Sequence, residues 1–195
     1  MSYIGSNPTQ GARKYTGSVA TGYDAKRTES PKWHAEQAIL EGIIDALPNG
    51  SRILDVPVGT GRLIPAYERN DHQWVGIDLS TDMLDESAAK VTKPELALML
   101  QCDVTKLDHI KFSDNFDCAF MIRLTRWLNP EQRTIALKQL QRVSRRKIVF
   151  TARIANHPYA YPLEAIEAAI EPGWKLAENI EAGEPEYRVF VLERI

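Results

Sequence analysis

Residues 53–65 read ILDVPVGTGRLIP, and the reading of this stretch decides the fold. Ile53, Leu54, Val56 and Val58 form a short apolar run without clean alternation. That suits a strand buried on both faces, as in a parallel sheet covered by helices. Gly59 and Gly61 permit a tight turn and let a ligand touch the backbone, because no Cβ intervenes. The spacing places a helix next, over 60–69, with its first free N–H groups turned back toward the glycines. Strand, glycine turn and helix in that order make a nucleotide-type binding corner.

The bulk properties set the limits around that corner. The chain has 195 residues, enough for one well-cored domain, and 1–195 is read as a single unit with 1–29 as an arm or lid. It is 44% hydrophobic and 26% charged, the balance of an ordinary globular protein. No apolar run reaches membrane-helix length, and MSYIGSNPTQGARKY lacks the apolar core of a secretory signal. Cys102 and Cys118 offer neither a disulfide framework nor metal-ligand spacing, so a reducing cytoplasmic setting without a metal site is expected. The net charge of −2 gives no whole-molecule case for a membrane or nucleic-acid partner. Between Arg123 and Lys147 lie eight basic residues and one acid, Glu131. The segment reads either as a phosphate-binding surface or, the favoured reading, as a solvated helix face, since Lys138, Arg142, Arg145 and Arg146 fall at helical spacing opposite Leu137, Leu140 and Val143.

Outward from the corner, strands and helices alternate. Strands are expected near 51–57, 73–78, 96–101, 116–122 and 147–153. Ser30 caps a helix with Pro31 at its first position and Trp33, Leu40, Ile43, Ile44 and Leu47 as its buried stripe. Further helices are placed at 81–91 behind Ser80, at 131–144 behind Asn129 and Pro130, and at 163–170. The tail, WKLAENIE and EYRVFVLERI around AGEP, reads as a hairpin. The whole is an α/β sandwich with a mostly parallel sheet.

These motifs resemble those of class I S-adenosylmethionine-dependent methyltransferases. The family's Asp-x-Gly-x-Gly-x-Gly corner corresponds here to Asp55-Val56-Pro57-Val58-Gly59-Thr60-Gly61, with Pro57 in place of the first glycine. Proline fixes φ near −65° and gives up an N–H, so it fits where the strand is leaving the sheet. The resemblance implies a Rossmann-like three-layer sandwich with strand order 3-2-1-4-5-7-6 and an antiparallel C-terminal hairpin. It also implies S-adenosylmethionine as cofactor.

On that resemblance Asp55, Val56, Pro57, Gly59, Thr60 and Gly61 surround the methionyl part. Asp78, 17 residues beyond Gly61, ends the second strand. Its two oxygens suit the two hydroxyls of a ribose, the other reading being a helix-end acid that helps Ser80 cap. Leu79 and Met83 flank the adenine. Asp103 accepts from the adenine amine with the Val104 N–H beside it, or serves as an ordinary turn residue. Met121 and Ile122 line the cofactor from the fourth strand. Tyr15, Tyr23 and Arg27, with Trp33, either close over the methionine end or form a strap packed on the sheet edge. Arg123, Arg126 and His157 are the acceptor-side candidates. The two arginines either orient an anionic substrate or form surface ion pairs.

The implied chemistry is methyl transfer to an oxygen or nitrogen nucleophile, which needs alignment and dehydration rather than a triad or a metal. A small-molecule acceptor is favoured over nucleic acid or protein. NHPYAY follows the fifth strand rather than the fourth, and Cys118 lies inside a strand, which disfavours base methylation of DNA. Gly59-Thr60-Gly61-Arg62-Leu63-Ile64 lacks the third glycine of a nicotinamide-binding turn. A catalytically silent S-adenosylmethionine-binding module is the remaining rival.

Overall fold

The structure, a computed structural model, describes residues 14–24, 30–112 and 115–195. Its strands are β1 (Arg52–Asp55), β2 (Gln73–Asp78), β3 (Ala97–Gln101), β4 (Phe116–Met121), β5 (Ser144–Arg153), β6 (Trp174–Glu184) and β7 (Tyr187–Arg194). They form one seven-stranded sheet in the order β3-β2-β1-β4-β5-β7-β6. β1 to β5 pair in parallel, with Leu54 opposite Val75 on one side and Ala119 on the other. β7 runs antiparallel between β5 and β6. The helices are α1 (Ser18–Thr21), α2 (Pro31–Asp45), α3 (Ile64–Arg69), α4 (Thr81–Ala88), α5 (Pro130–Val143) and α6 (Leu163–Glu167).

Alternate strand residues point to opposite faces, and both faces are apolar. Ile53, Trp74, Phe120, Val149 and Val191 pack with Leu40 and Ile44 of α2 and Tyr67 of α3. Their neighbours Leu54, Val75, Ala119, Ile148 and Phe190 pack with Ala136, Leu137 and Leu140 of α5. This is the α/β sandwich that the alternation of strands and helices implied, with the Rossmann-like strand order that the resemblance implied. Among the described residues, no helix is long and apolar enough to cross a membrane.

The caps follow the sequence closely. Asn129 and Gln132 form a reciprocal capping box before α5, and Ser80 Oγ accepts from the Met83 N–H at 3.3 Å. Ser30 occupies the cap position of α2 in an extended conformation, but its hydroxyl makes no capping bond.

Three expectations are corrected. The helix expected over 60–69 begins only at Ile64, because Gly61 has φ +78°, a left-handed conformation that no α-helix passes through. Arg145 and Arg146 are not on the helix face. α5 stops at Val143, and both arginines sit at the start of β5, reaching Asp117 at 2.8 and 3.3 Å. Finally, AGEP is not the hairpin turn. Gly183 (φ +81°) lies within β6 where the register with β7 shifts between Glu181 and Glu184, so the glycine serves a bulge.

Candidate active site

Five parallel strands end at one edge of the sheet, and β7 begins there, with Tyr187 paired to Arg153. Along that edge lies a cavity of about 450 Å³, within the range of small-molecule sites. It sits across the point where the strand order reverses, between β1 and β4, where open α/β sheets bind ligands.

Asp55 closes β1 and is buried; the Tyr67 hydroxyl donates to its Oδ2 at 3.1 Å. Burial outweighs that bond and the nearby Arg62, and pushes the carboxyl up to about 7. After it, Val56 N–H donates to Phe120 O and Val58 N–H to Ile77 O. Pro57, joined to Val56 by a cis peptide bond, lies between these two tied residues and needs no N–H of its own.

The two glycines differ in what they face. A Cβ on Gly59 (φ +57°) would meet no protein atom within 4 Å, whereas one on Gly61 would meet Ile64 Cδ1 at 2.5 Å and Ser87 Cα at 3.2 Å. Gly59 thus leaves a hollow at the cavity wall, and Gly61 lets α4 approach the turn. Gly61 does not border the cavity.

Asp78 ends β2. Its Oδ2 accepts from the Gly59 N–H at 3.0 Å and its Oδ1 from the Ser80 N–H at 2.9 Å. One carboxylate therefore ties the glycine turn to the start of α4. A carboxylate has about four acceptor positions, so even with the Leu79 N–H, which also acts on it, its capacity is not exhausted. Burial raises Asp78 to about 6 against the pull of those N–H bonds. Asp103 Oδ1 accepts from both the Thr105 N–H and its hydroxyl, which is the turn role, while the residue also borders the cavity. Val56, Leu79, Met83, Val104 and Ile122 complete this apolar wall. Met121 does not reach it; its side chain is fully buried in the core.

Tyr15 and Tyr23, within the described residues 14–24, also line the cavity. Tyr15 and Tyr23 meet edge to face with centroids 5.4 Å apart, Tyr15 lies 5.7 Å from Trp127, and Tyr23 lies 6.4 Å from Trp33. Three contacts anchor this segment: Ser80 Oγ donates to Tyr15 O, Gly17 N–H to Asp82, and Thr60 Oγ1 to Asp24 at 2.7 Å. Asp24 also pairs with Lys90. Arg27 lies outside the described residues.

Arg123 follows β4 with φ +60°, unusual for a residue with a side chain and worth about 1–3 kcal/mol of strain. The Thr151 hydroxyl accepts its N–H at 2.7 Å. Its Nε donates to Glu36 Oε2 at 2.7 Å, and Arg62 Nη1 donates to the same oxygen at 2.7 Å. Tyr187 Oη donates to Glu36 Oε1 at 2.5 Å. Both guanidiniums sit by the Trp33 ring, at 3.9 Å (Arg62) and 4.7 Å (Arg123) from its centroid. The sequence reading missed Glu36. The signal was a glutamate three residues after Trp33, on the face that carries Leu40 and Ile44. Arg126 borders the cavity on the exposed turn after β4, its guanidinium 5.0 Å from the Trp127 ring. His157 is exposed at the rim, and its Nδ1 accepts from the Tyr159 N–H at 3.1 Å.

A protein-family profile described as a methyltransferase domain matches residues 53–147, from β1 into β5. Residues 53–147 thus resemble a methyltransferase domain, and they include the first four strands of the sheet. Solved methyltransferases share its fold. Magnesium protoporphyrin IX methyltransferase from Synechocystis, with bound S-adenosylhomocysteine, is 15% identical with a TM-score of 0.72, over 94% of this chain and 97% of that one. An amino pentose methyltransferase from Micromonospora echinaspora, with bound S-adenosylmethionine, is 15% identical with a TM-score of 0.70, over 90% and 97%. A TehB-like methyltransferase from Corynebacterium glutamicum is 18% identical with a TM-score of 0.67, over 90% and 98%. No curated protein sequence matches the chain. In this chain's cavity the hollow at Gly59 leaves room for a ligand against the backbone, and Asp78 retains acceptor capacity.

Proposed function

We propose that this methyltransferase transfers a methyl group to an oxygen or nitrogen of a small molecule, with the cofactor lying along β1 to β3 and the acceptor beyond β4. The observation that carries this is the row Asp55, Gly59, Asp78 and Asp103 along one wall of a 450 Å³ cavity. When bound, S-adenosylmethionine supplies a methyl group already activated on a sulfonium. Asp78 takes the ribose hydroxyls, Leu79 and Met83 flank the base, and Asp103 with the Val104 N–H reads its edge. Ionised Asp55 lies where it offsets the positive charge of the methionyl end. Tyr15 and Tyr23, tied to Trp127 and Trp33, exclude water from the reacting centre. A covered cavity of this size favours a small acceptor, as do neighbours named for a porphyrin and an amino sugar.

The test is titration with S-adenosylhomocysteine. It should bind and raise the melting temperature by mass action on the folded state. Asp78→Ala should weaken binding about ten- to hundredfold, since hydrogen bonds to a charged group are worth about 1.5–3 kcal/mol. A 2′-deoxy ligand should bind wild type poorly and the alanine variant with little further loss. Equal discrimination by both proteins would leave Asp78 only its roles at Gly59 and Ser80.

Asp55 adds a pH signature. Burial pushes its carboxyl up to about 7, above the ordinary aspartate value of 3.8, so the native state holds the proton more tightly than the unfolded chain. Its contribution to stability is therefore full below about 4 and is lost as pH rises through about 7. Binding of a cationic cofactor runs the other way, because it needs the ionised form. Affinity for S-adenosylmethionine should rise about tenfold from about pH 6 to 8. Asp55→Asn should flatten that profile and raise the melting temperature of the free protein at about pH 8. A profile unchanged in the asparagine variant assigns the dependence elsewhere.

A further inference from the structure

Charge along the cavity edge changes sign at one place. In spatial order the strand ends carry Asp103, Asp78 and Asp55 on β3, β2 and β1, then Arg123 and Arg153 on β4 and β5. Lys32, Arg62 and Arg126 border the cavity as well. The cofactor proposed above brings ribose hydroxyls, an ammonium and a sulfonium, all suited to the acidic half.

The basic half is incompletely neutralised. Arg62 and Arg123 share Glu36, while Lys32 and Arg153 share Glu184, with Glu186 at 3.9 Å from Arg153. Among the described residues, five cations (these four and Arg126) thus stand against three carboxylates, an excess of two. Burial depresses the Lys32 ammonium, and Arg153 and Arg123 press in the same direction, as expected where positive charge is crowded. A methionyl carboxylate would answer one excess charge. The other falls to Arg126, which has no ion-pair partner among the described residues. Its turn is held firmly: Thr125 Oγ1 donates to Thr151 O and Arg133 Nε to Thr125 O, both at 2.9 Å.

We infer that the methyl acceptor is an anion, carrying a carboxylate or phosphate group that docks on Arg126 at the basic half of the cavity. A guanidinium presents paired N–H donors that match either group bidentately. This inference rests on the proposed function, and the two are separable in one experiment. The protein is saturated with S-adenosylhomocysteine and titrated with benzoate, phenyl phosphate and neutral benzamide. Both anions, or whichever one resembles the acceptor, should bind at least about tenfold more tightly than benzamide, and less tightly as salt is raised. Phenyl phosphate ahead of benzoate identifies a phosphate-bearing acceptor, and the reverse order a carboxylate. Arg126→Gln, at an exposed position, should weaken the preferred anion about tenfold or more while S-adenosylhomocysteine binds as before. Neither anion exceeding benzamide, or anion binding unchanged in Arg126→Gln, overturns the inference. Failure of S-adenosylhomocysteine itself to bind overturns the proposed function instead.

Discussion

Gly59→Val should abolish S-adenosylhomocysteine binding in a protein that still folds. A Cβ at this position meets no protein atom within 4 Å, so the branch point of the side chain is accommodated by the fold. It does occupy the hollow beside Asp55 and Asp78 where the ligand must touch the backbone. The residue holds φ +57°, which a β-branched side chain adopts at about 1–3 kcal/mol, a loss a domain of this size survives. Gly61→Ala is the contrasting control. Its Cβ would lie 2.5 Å from Ile64 Cδ1 and 3.2 Å from the Ser87 backbone, at φ +78°, so it loses stability although Gly61 does not border the cavity. Calorimetric titration and thermal melts separate the two. A folded Gly59→Val protein that binds within tenfold of wild type would make the turn purely structural.

The two glycines also mark how far the sequence could be read. That both belong to a tight turn between strand and helix is local information, carried by an apolar run, an aspartate and residues free of a Cβ. Which one borders the cavity depends on where α4 packs, and no spacing within residues 53–65 contains that. Asp78 was read as either a ribose acceptor or a helix-end acid. Its carboxylate has room for both, since Ser80 and Gly59 take only one bond at each oxygen. The Gly183 bulge was misplaced as a turn because glycine serves both purposes, and only pairing with β7 distinguishes them. Glu36 was missed altogether. Its three partners lie 26, 87 and 151 residues away, on the turns after β1 and β4 and at the start of β7. Each looks like an ordinary surface arginine or tyrosine until the strand order brings these ends together.

That same network yields the largest expected stability loss. Glu36 is 0% exposed, and its partners Arg62 and Arg123 are 13% and 18% exposed at their side chains. Glu36→Ala leaves two largely buried guanidiniums and the Tyr187 hydroxyl without their acceptor. Breaking a buried ion pair from one side costs about 3–5 kcal/mol, because the surviving charge has lost both water and partner. In a domain of this length that is roughly 6–20 °C in melting temperature. Glu36→Gln keeps the volume and one carbonyl acceptor, so it should fall between alanine and wild type. Arg123→Ala tests whether uncompensated charge is the cause. Removing Arg123 as well as Glu36 deletes one stranded cation, so the double variant should be more stable than the sum of the two single losses. Strict additivity, or a Glu36→Ala protein that melts with wild type, would mean that water already reaches these guanidiniums. The cluster would then be an exposed set of charges rather than a buried support for the cavity's basic half.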